Sequence, residues 1–159
     1  MGRPAFEGKI MQTEVPPGSW MPSWASGLAL TLLRVVTGAL FMQHGVQKLF
    51  GLLLDASRPW EAAPPAFSQF WFAGVLETFG GLLIVLGLFT RPVAFLLSGE
   101  MAVAYFQAHA PRAFWPILNR GEVVVLFCFI YFYLFAAGPG PWSLDALLRR
   151  RRRRRESVV

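Results

Sequence analysis

Arg34, His44, Lys48, Glu77, Glu100, Gln107, His109, Glu122 and Tyr133 lie within, or at the ends of, long apolar runs where polar side chains are otherwise scarce. His44 and Lys48 can donate to a carbonyl oxygen, and Glu77 and Glu122 can take up and pass protons. Together they have the chemistry of a pocket for a quinone or another small redox substrate. Two His and two Glu are also metal-ligand types, but no run holds the Glu-x-x-His spacing of carboxylate-bridged bundles, and no metal is assigned. His44 and His109 are a candidate axial pair for haem, resting on two lone histidines. The plain alternative is a structural polar network that keeps helices in register.

The elements that must position these groups are the runs Leu28 to Phe50, Phe70 to Phe89, Val93 to Ala110 and Glu122 to Gly138. Each is close to the ~20 residues that cross a hydrocarbon core of roughly 30 Å. In lipid the backbone must satisfy its own hydrogen bonds, which leaves helices or a closed barrel, and these runs lack the alternation of barrel strands. With 55% hydrophobic residues and 15 Phe in 159 positions, a soluble domain would have too few polar residues to cover them. The expected fold is therefore all-α, an integral membrane four-helix bundle.

Basic residues set the orientation. Arg149 to Arg155 are seven consecutive arginines after the last run, and cytoplasmic flanks collect Arg and Lys. Four crossings then place both the N- and the C-terminus on the cytoplasmic side. Residues 1–27 are expected to form a cytoplasmic or interfacial segment, 28–148 the membrane domain, and 149–159 an arginine-rich cytoplasmic tail. The tail accounts for the net charge of +6. Beside a bilayer, its expected partners are anionic lipid headgroups rather than nucleic acid. No secretory signal is read in the first 25 residues, because no apolar core follows Arg3 and Lys9 before Pro16 and Pro17.

Ionisable groups in lipid cost several kcal/mol unless paired, so they should face the interior of the bundle. At about 100° per residue, Arg34, His44 and Lys48 fall within an arc of about 80°, with Gly38 and Gly45 beside them. Glu77 lies among Gly74, Gly80, Gly81 and Gly87, and Glu100 shares a stripe with Ala104 and Gln107. Depth at ~1.5 Å per residue separates two levels. The inner level is expected to be an Arg34–Glu100 ion pair with the Tyr133 hydroxyl nearby. The outer level holds His44, Lys48, Glu77, Gln107, His109 and Glu122. Cys128 stands alone, so a cycling dithiol is excluded and packing is its expected role.

The string Arg34 to Phe50, RVVTGALFMQHGVQKLF, resembles the first span of the DoxX family of small membrane proteins. Glu77 to Pro92, ETFGGLLIVLGLFTRP, resembles its second, and Glu100-Met101 followed by His109 its third. Asn119 to Glu122 and the closing Gly138 to Asp145 resemble the fourth segment, although Arg120 stands where members often have Gly. The resemblance covers roughly residues 28 to 148. It implies a multi-pass protein of a bacterial or archaeal cytoplasmic membrane, associated with redox complexes that handle thiosulfate and quinone, quinone detoxification or oxidative stress. Carried over by motif are Arg34, His44, Gly45, Lys48, Glu77, Gly80, Gly81, Arg91, Glu100, His109 and Glu122. The expected function is a membrane subunit of a redox system with a quinone, as candidate cofactor or substrate, in the outer half of the bundle and with redox proteins as partners. The alternatives are a non-catalytic scaffold that recruits soluble proteins, or a small-solute transporter, which would need a homo-oligomer.

Overall fold

The computed structural model describes residues 22–52 and 64–156. Most of the expected N-terminal segment, and the connection around Arg58 and Trp60, lie outside the described residues. Helix α1 spans Ser23–Phe50 and stops at Gly51, whose positive φ of 62° lets the chain turn away. Helix α2 spans Gln69–Leu86; the Ser68 side chain accepts from the Trp71 amide at its start. Residues 90–109 form α3, followed by the single turn α4 (Pro116–Asn119), α5 (Glu122–Ala137) and α6 (Leu144–Glu156). No strand occurs among the described residues.

Two helices are not α-helical throughout. Leu76–Gly80 in α2 and Tyr105–His109 in α3 are π-helical turns, wider local windings that recur at functional sites. The first contains Glu77, and the second contains Gln107 and His109.

Glycine explains how α1 and α2 pack so closely. A Cβ on Gly38 would sit 2.9 Å from the Gly81 carbonyl oxygen, and one on Gly81 would sit 2.8 Å from the Gly38 carbonyl oxygen. Seven residues further along α1, a Cβ on Gly45 would strike the Thr78 backbone nitrogen and lie 2.8 Å from the Glu77 carbonyl carbon. The π turn therefore lies directly on the α1 backbone at Gly45, with the Thr78 backbone and hydroxyl at the contact. Small residues allow this approach, and the contact is tight enough that none larger fits. Gly45→Val is expected to lower stability by about 2–3 kcal/mol. Gly99→Ala, where an added Cβ meets nothing within 4 Å, should be neutral to slightly stabilising. Unfolding midpoints in detergent check both, and equal midpoints for the two variants would refute the close approach.

Helix α3 packs mainly on α5, where the Ser98 hydroxyl donates to the Cys128 carbonyl at 2.9 Å. Cys128 packs against the core, as expected for a small filler. The two helix pairs share one apolar core. Phe41 comes from α1, Ile84 from α2, Ala94, Leu97 and Met101 from α3, and Phe127, Tyr131 and Leu134 from α5. The Tyr131 ring meets Phe41 edge-on at 5.0 Å, and its hydroxyl donates to the Thr37 carbonyl at 3.2 Å.

Around that core the usual pattern is inverted. Arg34, Glu77 and Asn119 are each 2% exposed, whereas Leu32, Val36, Phe72, Phe79, Phe95, Leu126 and Phe129 point outward with about half or more of their surface uncovered. Water would penalise such a surface; hydrocarbon would not. Helices 24–50 and 69–86 are long and apolar enough to cross a membrane by length and composition, and α5 is apolar but shorter, with 16 residues.

Candidate functional site

Three of the polar groups, Lys48 of α1, Glu77 of α2 and Glu100 of α3, interact with one another. Lys48, near the end of α1, reaches across the glycine-lined contact so that its Nζ lies 2.6 Å from Glu77 Oε1. The Glu77 side chain is 3% exposed and that of Lys48 is 32% exposed, so the carboxylate is enclosed while the amine stem runs toward the rim. The π turn sets Glu77 facing α1 at the point where Gly45 leaves room.

Glu100 on α3 approaches the same place. Its charge interacts with those of Glu77 and Lys48, and Glu77 in turn interacts with His44. Among the described residues, both carboxylate oxygens of Glu100 and Oε2 of Glu77 are buried without a hydrogen-bond partner. These three buried oxygens have no donor, and the Lys48 ammonium serves only Glu77 Oε1. Buried oxygens of this kind are costly when left unpaired, and they mark a place where a proton or an external donor is accommodated.

The Arg34–Glu100 pair expected from depth does not form. The Arg34 guanidinium turns to the other end of the helices, where Nη2 donates to the Trp142 carbonyl at 2.8 Å and Nη1 to that of Ile84 at 3.3 Å. It ties the end of α2, where the Ile84 carbonyl also accepts from the Gly87 amide at 3.0 Å, to the 138–143 connection. Gly87, at φ 65°, makes room, since a Cβ there would overlap the guanidinium. Asp145 completes this clasp: Oδ1 and Oδ2 accept from the Phe89 and Thr90 amides at 3.0 Å each, and its own amide donates to the Gly87 carbonyl at 3.0 Å. A residue 55 positions away therefore caps the start of α3.

Tyr133 is likewise not the buried tyrosine. It is 53% exposed, whereas Tyr131 is fully buried. Two residues rotate a helix by ~200°, and α5 is apolar on every side, so no amphipathic stripe says which tyrosine turns inward.

The outer group divides as well. His44 is exposed on α1, with its ring edge-on to Phe127 at 6.5 Å, at the fringe of the Lys48–Glu77 pair. Gln107 is exposed and accepts from Gln69 at 2.5 Å, joining the last turn of α3 to the first residue of α2. His109 serves the following loop: its Nδ1 is 3.1 Å from the Asn119 carbonyl oxygen and its ring stacks on Tyr105. Buried Asn119 organises that loop by donating to the Ala113 carbonyl at 2.6 Å and the Tyr105 hydroxyl at 3.2 Å, and by accepting from the Gly121 amide at 2.7 Å. Glu122 is exposed in the first turn of α5, where a carboxylate favours the helix dipole. The candidate site therefore comprises Lys48, Glu77 and Glu100, with His44 beside them.

Comparison with known proteins places the chain among its relatives. A family model described as DoxX matches residues 29–110, a span that contains Lys48, Glu77, Glu100 and His44. The chain is 37% identical over 121 residues to an uncharacterized protein of Haemophilus influenzae, covering 73% of this chain and 87% of that relative. It is 28% identical over 149 residues to an uncharacterized membrane protein of Mycobacterium tuberculosis, covering 82% of this chain and 91% of the relative. No solved structure matches the chain.

Proposed function

This chain belongs to the DoxX family, and we propose that it is a multi-pass protein of the bacterial cytoplasmic membrane whose Lys48–Glu77–Glu100 centre takes the polar head of a quinone-type carrier, as part of a membrane redox system. In this reading α1, α2, α3 and α5 cross the bilayer as a four-helix bundle. The arginine run lies on the cytoplasmic side, and an even number of crossings brings the N-terminus there too. The inverted surface supports it, with charges inside and large apolar residues outside.

One observation carries the chemical part: three buried carboxylate oxygens without donors beside a single ammonium. With Lys48 and both carboxyls charged, the centre would hold an uncompensated negative charge in a low-dielectric interior, which is strongly unfavourable. A proton on one carboxyl removes that charge and creates a donor. A quinone carbonyl can accept from such a carboxyl and from Lys48, and exposed His44 offers a further donor on the side open to the lipid phase. The electrons for reduction would come from a partner protein, with the centre handling protons.

Titrating the purified protein with a short-chain quinone analogue should give saturable binding. His44→Ala should weaken it about tenfold, as expected for one lost hydrogen bond of ~1.4 kcal/mol. Absence of saturable binding to folded wild-type protein would sink the carrier site.

A further inference from the structure

We propose that the groove between the α2–α3 turn and the start of α6 binds the phosphodiester of one anionic phospholipid. The proposal rests on the membrane placement argued above and is independent of the carrier site. The groove is open and has a volume of about 320 Å³, which suits a headgroup rather than a folded partner. Arg91 and Arg149 stand on its rim, and Phe89, Pro139 and Leu148 form apolar walls.

The charges favour one phosphate. Arg91 donates from Nη1 to the Phe135 carbonyl at 2.9 Å, and a guanidinium carries donors beyond that one. Arg149 is exposed. Asp145 is the acidic group in the groove, but both of its oxygens accept from the Phe89 and Thr90 amides. The net balance of Arg91, Arg149 and Asp145 is one positive charge, which a single phosphodiester neutralises through charge-assisted hydrogen bonds.

The walls favour a lipid over a free anion. Phe89 is 63% exposed and Leu148 is 53% exposed, so the cationic rim adjoins apolar surface at an end of the helices. Phe89 also has a positive φ of 48°, rare for a bulky residue, and the Asp145 contact with its amide holds that backbone in place. An acyl chain can lie along this surface while the phosphate meets the arginines. The remaining arginines, Arg150 to Arg155, continue along α6 beyond the groove.

The experiment uses the full chain in nanodiscs of phosphatidylcholine, with and without phosphatidylglycerol, read by thermal unfolding and by native mass spectrometry. Wild type should show a higher Tm with phosphatidylglycerol and one retained lipid. Arg149→Gln should weaken retention about fivefold, while replacing Arg151 to Arg155 together by Gln should keep the single lipid. The groove is refuted if Arg149→Gln changes nothing, or if the distal replacement alone removes the lipid, since attraction is then spread along the tail. Inorganic phosphate that raises Tm equally in pure phosphatidylcholine discs would refute a lipid ligand. A chain that stays soluble without detergent or discs would overturn the membrane placement itself.

Discussion

Replacing Lys48 by Met is expected to destabilise the protein by about 3 kcal/mol, near the lower end of the range for breaking a buried ion pair. The loss arises because Glu77, 3% exposed and held by Lys48 at 2.6 Å, is left enclosed with both oxygens unserved. Uptake of a proton by Glu77 limits the loss, as does the partial exposure of Lys48. Replacing Glu77 by Met as well should recover most of it, since an apolar pair of similar volume needs no partner. Denaturation of both single variants and the double variant in one detergent gives the coupling directly. If the double variant loses the sum of the two single losses, Lys48 and Glu77 act separately and the centre is not an ion pair.

Lys48 and Glu77 were legible as candidate residues because the signal was chemical, although their pairing was not read from the sequence. A lysine, a histidine and two glutamates inside apolar runs are conspicuous, and helical periodicity puts Lys48 and His44 on the arc that also carries Gly45. The glycines found their place for the same reason, since residues without side chains mark where two helices touch. Other features left weaker marks. Arg34 donates to the backbone carbonyls of Ile84 and Trp142, and every residue has a carbonyl, so a search for opposite charges points to Glu100 instead. Asp145 caps a helix that begins 55 residues earlier in the chain. The closing motif flagged it, but nothing local links it to Thr90. The π turns shift the wheel by an extra residue just where Glu77 and His109 lie, and regular periodicity does not contain that shift. Tyr131 and Tyr133 differ in burial on a helix whose sequence is apolar all round.

Arg34→Met should likewise cost about 3 kcal/mol, for a reason unrelated to Glu100. Hydrogen bonds from a charged donor contribute roughly 1.5–3 kcal/mol each, and Arg34 makes one at 2.8 Å and a longer one at 3.3 Å. The Ile84 carbonyl keeps the Gly87 amide at 3.0 Å, so the loss falls mainly on the contact that ties the Trp142 carbonyl to α1. Glu100→Leu should behave in the opposite way and raise stability by about 1 kcal/mol, because it removes two buried oxygens that have no partner among the described residues. The double variant should show the sum of the two changes within ~0.5 kcal/mol, as for sites that share no contact. If Glu100→Leu instead rescues Arg34→Met, the two residues form the ion pair after all, and the clasp geometry at Trp142 is wrong. An additive result with a stabilising Glu100→Leu separates the two ends of the molecule. Arg34 then acts in holding the turn and the tail, whereas Glu100 lowers stability where it stands. A carboxyl that weakens its own fold while facing Lys48 and Glu77 is the residue at which loss of ligand binding should be sought first.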